Sequence, residues 1–316
     1  MAYKKKYSAE EKTAYKEQKQ AEIDEMIKRI DEGVKAVFKS ERYKEYLKFA
    51  SKFTNYSPHN TMLISLQKPN ATLVASYGKW QKLGRQVEKS ERGIAIFAPV
   101  IYNTDHRLET KKSISDRYSK QISDENEISE NQIKRITFKK VYVYDISQTD
   151  GKDMPCFDSD ELKGDIDPTK KKAILEALEK AAGIKIAFED IKGSAKGYYR
   201  TVEDQIVIKS GMSDNQTLKT AFHETAHKLL HDPKNNLTTV KSPRSEKEVQ
   251  AESVAFIVAE RLGMDTSEYS FPYIASWSNG KQLEQLKAVL HEIQSAAKRI
   301  VEKIEVKLQS NEYSAW

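Results

Sequence analysis

The sequence predicts an α+β protein in two parts: an N-terminal domain of helices followed by β-strands, and a mainly helical C-terminal domain with a small sheet. Three observations predict it. Apolar residues recur at helical spacing through residues 9–50 and again after residue 210. Strand-like runs and period-two alternation are confined to about 71–98 and 136–146, with short runs at 184–188 and 205–208. A Gly/Pro/Asp-containing segment, 151–168, separates blocks of unlike charge.

At 316 residues the chain is long enough for two domains that each bury a core. A hydrophobic content of 38%, with 16 Tyr and 10 Phe, excludes a wholly disordered chain even at 32% charged residues. The start, Met1-Ala2-Tyr3-Lys4-Lys5-Lys6, leads into helix formers rather than an apolar stretch, so no secretory signal is expected. No apolar run approaches the roughly 20 residues that span a bilayer, so no membrane partner is expected. Cys156 is the single cysteine, which excludes a disulfide framework and a thiolate metal site. A cytoplasmic location is the expectation.

Residues 1–150 hold 29 Lys/Arg against 21 Asp/Glu, and residues 151–316 hold 24 against 26, so the net charge of +6 arises wholly in the first part. A basic half suits a polyanionic partner such as nucleic acid, although a Lys-rich soluble surface would look the same by charge alone.

In the first part, Ile23, Met26, Ile27, Ile30, Val34, Val37 and Phe38 follow helical spacing, and a short helix is expected over Asn60–Gln67, closed near Pro69. Strands are expected at Thr72–Ala75, at Ile94–Ala98 and at 136–146, where Ile136, Phe138, Tyr142, Tyr144 and Ile146 share a face. Residues 103–135 are charged and Ser/Asn-rich, which reads as a loop insertion. These elements make up a domain over 1–150, joined by a linker, 151–168, to a second domain over 169–316. The second begins with a helix at 170–182 closed by Gly183, continues through strands at 184–188 and 205–208, and ends in helices near 214–231, 245–262 and 279–308.

The helix near 214–231 carries His223-Glu224-Thr225-Ala226-His227. Residues four apart share one helix face, so both imidazoles can reach one metal ion, and Glu224 lies beside it to accept a proton from bound water. Leu218, Phe222, Thr225, Ala226 and Leu229 supply the apolar stripe that docks this helix. His231 continues the face but lies about 12 Å along the axis from His223, too far to join both histidines on one ion. A role in packing or at the C-terminal dipole is expected for it.

The next helix offers Glu248 and Glu252, four apart, with Ala255 and Ala259 extending the strip. His-Glu-x-x-His followed by Glu-x-x-x-Glu is the arrangement of gluzincin-type peptidases. Glu248 is the expected third ligand and Glu252 its partner, orienting a histidine. In the competing reading, Ser245-Glu246-Lys247-Glu248 forms a capping box and Glu252 takes the metal. Three protein ligands leave a fourth position open, which is the catalytic form of a Zn2+ site. Tyr198, Tyr199 and Tyr273 are candidates to steady an oxyanion, against a packing role for each.

The N-terminal part runs Tyr56-Ser57-Pro58-His59-Asn60-Thr61-Met62-Leu63-Ile64, then Gln67-Lys68-Pro69-Asn70-Ala71-Thr72-Leu73-Val74-Ala75-Ser76-Tyr77, and on through Trp80, Leu83-Gly84-Arg85-Gln86-Val87 and Gly93-Ile94-Ala95-Ile96. This order resembles the N-terminal single-stranded-DNA-binding domain of the ArdC family of antirestriction proteins, found on plasmids and other mobile elements. The C-terminal part, including Tyr273-Ile274-Ala275-Ser276-Trp277, is similar to the family's zincin-like metallopeptidase domain. The resemblance covers roughly residues 20–310 apart from the insertion. One departure is Ser90, where the family usually has glycine; a turn needing positive φ would be costlier there.

The residues themselves agree with that resemblance. Lys52, Lys68, Lys79, Lys82, Arg85, Lys89 and Arg92 face only Glu88 and Glu91 and are interleaved with Tyr56, Tyr77 and Trp80. Cations neutralise phosphates while aromatic faces stack unpaired bases at about 1–3 kcal/mol each. With Asn60 of the motif, these are the candidate single-stranded-DNA contacts, and core packing is the competing reading for each aromatic. The resemblance implies protection of incoming DNA from host restriction, with a protein substrate for the metal site. Two alternatives stand beside it: a non-enzymatic DNA-binding protein with a structural or inactive zinc domain, and a regulatory protease that cleaves a repressor or DNA-bound protein.

Overall fold

The computed structural model describes residues 8–39, 42–103, 134–153, 166–234, 243–272 and 274–313. The chain is α+β and divides into two compact units, each made of two stretches of sequence. One holds residues 1–30 and 66–152, the other 31–65 and 153–316. The expected insertion at 103–135 and linker at 151–168 lie, apart from their ends, outside the described residues.

The helical spacing of the first part produces α1 (Ala9–Val37), α2 (Arg42–Lys52) and α3 (Pro58–Gln67). A sequence-based division at residue 150 places all three with the strands that follow. The structure differs, because residues 31–65 pack with the C-terminal unit.

In the first unit β1 (Val74–Ala75), β3 (Ile94–Asn103) and β4 (Lys134–Asp145) form a sheet in the order β1-β4-β3. β3 and β4 run antiparallel from Ile94 opposite Val143 to Asn103 opposite Lys134. Ile94, Ile96 and Val143 are buried on one face, as period-two alternation requires. Between β1 and β3 lie α4 (Tyr77–Lys82), capped by the Ser76 side chain, and β2 (Arg85–Val87), which pairs with β5 (Thr149–Gly151). The Asp145 carboxylate accepts the Thr72 and Leu73 N–H groups at 2.8 and 3.1 Å, tying the approach to β1 onto the end of β4.

In the second unit α5 (Pro168–Ala182) ends at Gly183, whose φ of 75° supplies the left-handed cap. The sheet has the order β6-β8-β7, with β6 (Ile186–Glu189) parallel and β7 (Gly197–Arg200) antiparallel to β8 (Gln205–Lys209). Ile206, Val207 and Ile208 are fully buried, as befits a central strand covered on both faces. α6 (Asp214–His231) packs on β7, β8 and α5, and α7 (Arg244–Arg261) packs on α6. α8 (Ile274–Ser278) precedes α9 (Leu283–Tyr313), which lies along α5 and α7.

α2 joins this unit chiefly through α7. Tyr43 and Leu47 of α2 are fully buried, and the Tyr43 hydroxyl lies 2.8 Å from Ser253 Oγ. Among the described residues no helix is long and apolar enough to cross a membrane.

Candidate metal centre and nucleic-acid face

α6 is fixed from its apolar side. Leu218, Ala221, Phe222 and Ala226 are completely buried, so the helix cannot rotate, and the opposite stripe presents His223 and His227 to α7. Their Nε2 atoms lie 3.0 Å apart. Glu248 Oε2 completes a triangle at 3.4 Å from His223 Nε2 and 3.6 Å from His227 Nε2. Ligands placed tetrahedrally at about 2.0–2.1 Å from zinc are themselves about 3.3–3.5 Å apart. The donor set therefore fits a zinc-sized ion at its centre, and these three are the described His, Cys, Asp and Glu residues that converge in this way.

Glu252 reaches the other side of the same ring, with Oε2 at 3.2 Å from His223 Nδ1. No side chain caps α7, whose N-cap is Pro243, so the capping box open to Ser245 and Glu248 does not form. The field of these carboxylates is strong. Burial pulls the His223 imidazolium down, but hydrogen bonds to Glu248 and Glu252 outweigh it and raise the group to about 10. The same contacts with His223 and His227 hold the Glu248 carboxyl well below its ordinary range.

Glu224 is buried at 7% exposure, and burial pushes its carboxyl up despite the two neighbouring imidazoles. The Tyr199 backbone on β7 approaches it and opposes that push. Gly197 makes that approach feasible: a Cβ there would lie 2.7 Å from Thr220 Cγ2 and 2.9 Å from the Val207 carbonyl oxygen. His223, Glu224 and Glu252 line a cavity of about 430 Å³ together with Thr220 and Tyr269.

His231, expected at a packing or dipole position, packs against His227. Its Nδ1 lies 2.9 Å from His227 Nδ1, and burial pulls its pKa down to about 4. The oxyanion candidates are engaged elsewhere. Tyr199 donates to Asp204 at 2.8 Å, Tyr198 Oη accepts from Arg200 at 2.7 Å, and Tyr273 lies outside the described residues. Tyr269, which the sequence did not single out, is buried on the cavity wall, and its hydroxyl makes no hydrogen bond.

The expected DNA contacts divide between the units. Lys52, Tyr56 and Asn60 belong to the second unit, where Lys52 is exposed and Tyr56 is partly covered against Phe53. In the first unit Tyr77, Lys79, Lys82, Lys89 and Arg92 are exposed and Lys68 is half-buried. One expectation, Trp80, is corrected, and Arg85 is already engaged within its own chain. Trp80 is completely buried and donates its Nε1–H to the Tyr144 carbonyl at 2.8 Å, so it is a core residue and offers no face to a base. Arg85 directs its guanidinium to its own chain, donating to Thr149 Oγ1 at 2.8 Å, to the Thr149 carbonyl at 2.7 Å and to the Lys152 carbonyl at 2.5 Å.

The aromatic surface of this unit lies elsewhere. Phe138, Lys140, Tyr142 and Tyr144 share one face of β4, and the register opposite Lys140 puts Phe97 on the same face. Tyr142 is 50% exposed, with Lys140 Nζ 5.3 Å from its ring centre. Phe97 and Phe138 meet edge to face at 6.4 Å, as do Tyr77 and Tyr144.

Comparison with known families matches these two parts separately. The family model described as the N-terminal domain of anti-restriction factor ArdC matches residues 16–144. The M78 peptidase model, described as the IrrE N-terminal-like domain, matches residues 179–276. The chain thus resembles the ArdC N-terminal domain in its first part and the IrrE N-terminal-like domain in its second. An uncharacterized protein of Bacillus anthracis is 29% identical over 325 residues, which cover 96% of this chain and 54% of that protein. The chain thus spans about half the length of that curated relative. Among solved structures, the metal-free antirestriction ArdC protein from plasmid R388 is 19% identical, with a TM-score of 0.48 over 81% of this chain and 86% of that one. Its Mn(II)-bound structure is 18% identical, with a TM-score of 0.46 over 80% and 86%.

Proposed function

We propose that this ArdC-like protein binds single-stranded DNA with its N-terminal domain, carries one catalytic-type Zn2+ in its peptidase domain, and protects incoming mobile-element DNA from host restriction. The observation that carries the proposal is the convergence of His223, His227 and Glu248 beside buried Glu224, in a chain whose other half matches the ArdC N-terminal domain.

In this reading His223, His227 and Glu248 hold the ion and Glu252 orients His223. Zinc bound there would supply Lewis acidity, polarising a carbonyl and acidifying water. Glu224, buried beside the two imidazoles, takes a proton from the attacking water and returns it to the leaving amine. Tyr269 donates its uncommitted hydroxyl to the oxyanion. The substrate is a polypeptide, which can pair as an extended strand with the open edge of β7.

The DNA face in this reading is the aromatic surface of β3 and β4, with Lys140 among the aromatics and the exposed Lys79, Lys82, Lys89 and Arg92 on the same unit. Stacking on Tyr142 and Phe138 supplies sequence-tolerant affinity, and the cations make it salt-dependent.

The test measures Zn2+ content, oligonucleotide binding and protection from restriction for the wild type and Glu224→Gln. The variant is expected to keep metal and DNA affinity and to lose protection. Full protection by the variant would show that the protein acts by coating the strand. Absence of salt-dependent binding to a single-stranded oligonucleotide would overturn the DNA half.

A further inference from the structure

His231, Gln250 and Glu292 form a hydrogen-bonded line running away from the centre. From His227 Nδ1 it passes to His231 Nδ1 at 2.9 Å, from His231 Nε2 to Gln250 Oε1 at 2.9 Å, and from Gln250 Nε2 to Glu292 Oε2 at 2.5 Å. Gln250 is buried at 3% exposure, whereas Glu292 on α9 keeps contact with solvent.

Only two arrangements of protons satisfy such a line, because each imidazole carries one hydrogen and the amide has one donor end. In the first, His227 donates from Nδ1 to His231 Nδ1, His231 donates from Nε2 to the Gln250 carbonyl, and the Gln250 amide donates to Glu292. In the second every donor is reversed, and the Gln250 carbonyl oxygen faces a carboxylate oxygen at 2.5 Å. Two acceptors at that distance repel, so ionised Glu292 selects the first. That arrangement leaves the lone pair of His227 on Nε2, the atom 3.0 Å from His223 Nε2 and 3.6 Å from Glu248.

We propose that His231, Gln250 and Glu292 are positioning residues of the metal centre, a relay by which a carboxylate on α9 fixes the ring orientation and tautomer of His227 on α6. The inference rests on the reading of His223, His227 and Glu248 as metal ligands. It extends the usual partnership of a ligand histidine with a carboxylate across two intervening side chains, and such partners change metal affinity by about 10–100-fold.

The experiment uses the full chain and Zn2+ itself, with affinity measured by competition against a chromophoric chelator. Imidazole nitrogen shifts are read by NMR on the metal-free protein. In the wild type, His227 is expected to carry its proton on Nδ1 and His231 on Nε2. Glu292→Gln preserves shape but lets the amide face either way. It is expected to mix the two His227 tautomers and to raise the Zn2+ dissociation constant about tenfold. His231→Phe is expected to raise it by about 10–100-fold. Glu302→Gln, on the same helix, changes neither readout. If the wild type binds Zn2+ and both relay variants match it within about twofold, the relay is overturned while the metal site stands. A proton on His227 Nε2 in the metal-free wild type overturns it as well. Failure of the wild type to bind Zn2+ overturns the metal-site reading and the relay together.

Discussion

Glu252 Oε2 and Glu248 Oε2 address opposite nitrogens of one ring: the first lies 3.2 Å from His223 Nδ1, the second 3.4 Å from His223 Nε2. The two acidic residues four apart on α7 therefore have separable consequences. Glu248→Ala is expected to abolish stoichiometric Zn2+ binding. Glu252→Gln is expected to weaken it by about 10–100-fold, because the ligand survives and only its orientation is loosened. Metal analysis after dialysis, followed by chelator competition, checks both.

At the proposed metal site a proton on His223 competes with Zn2+. Hydrogen bonds to Glu248 and Glu252 raise His223 to about 10, which favours its protonated form near neutral pH. Metal affinity is therefore expected to rise with pH, by about tenfold per unit below that value, with about one proton released per ion. Calorimetry in two buffers of different ionisation enthalpy measures the release. A pH-independent affinity from 6 to 8 would contradict it.

Gly197→Ala puts a methyl group 2.7 Å from Thr220 Cγ2 and 2.9 Å from the Val207 carbonyl oxygen. β7 must move away from α6, and the added methyl also crowds Glu224 Cγ at 3.3 Å. A stability loss of about 1–3 kcal/mol is expected, with Zn2+ binding retained and any peptidase activity lowered. Adding Thr220→Ser removes one of the two clashes and should recover part of the stability in urea denaturation.

Lys228, the residue after His227, is buried with its ammonium between Asp204 at 2.5 Å and Asp232 at 2.6 Å. Asp232 is itself only 1% exposed. Asp232→Asn leaves that buried ammonium with one carboxylate and is expected to cost about 3 kcal/mol in chemical denaturation. Hydrogen bonds from Lys228 and Tyr199 depress Asp204 to about 2. Its contribution is thus present above the ordinary carboxylate range and is lost as pH falls through about 2, and Asp204→Asn should flatten acid unfolding over that interval.

Ser90 sits at the third position of the turn Glu88–Glu91 with φ of 74°. That conformation favours glycine, and the sequence carries a side chain instead. Ser90→Gly is expected to stabilise the protein by about 0.5–1 kcal/mol with no change in DNA affinity. Thermal unfolding and fluorescence polarisation provide the two readouts.

Much of the fold is legible in local sequence patterns. α6 runs from Asp214 to His231 as its apolar stripe and Ser213 cap demand, and α7 follows from the spacing of Glu248, Glu252, Ala255 and Ala259. What escaped depends on neighbours that periodicity cannot name. β7 is half-buried at all four residues, so Gly197-Tyr198-Tyr199-Arg200 shows no alternation. Trp80 carries the composition of a stacking residue but meets a carbonyl in the core. His231 is too far along the helix to share an ion with His223, yet the second nitrogen of His227 brings it into the centre. That signal was present as a third histidine at a spacing of four, and only the placement of Gln250 gives it meaning.

Residues 31–65 reach the C-terminal unit through α2, whose Tyr43, Leu47 and Ala50 are sealed from solvent within that unit. The order of segments along the gene therefore differs from the order of folding partners. Severing the chain near residue 150 would yield a first fragment bearing an orphaned apolar helix and a second fragment missing part of its interior. The two halves are not exchangeable cassettes. Replacing the C-terminal unit by another would require a matching stretch from upstream of β1.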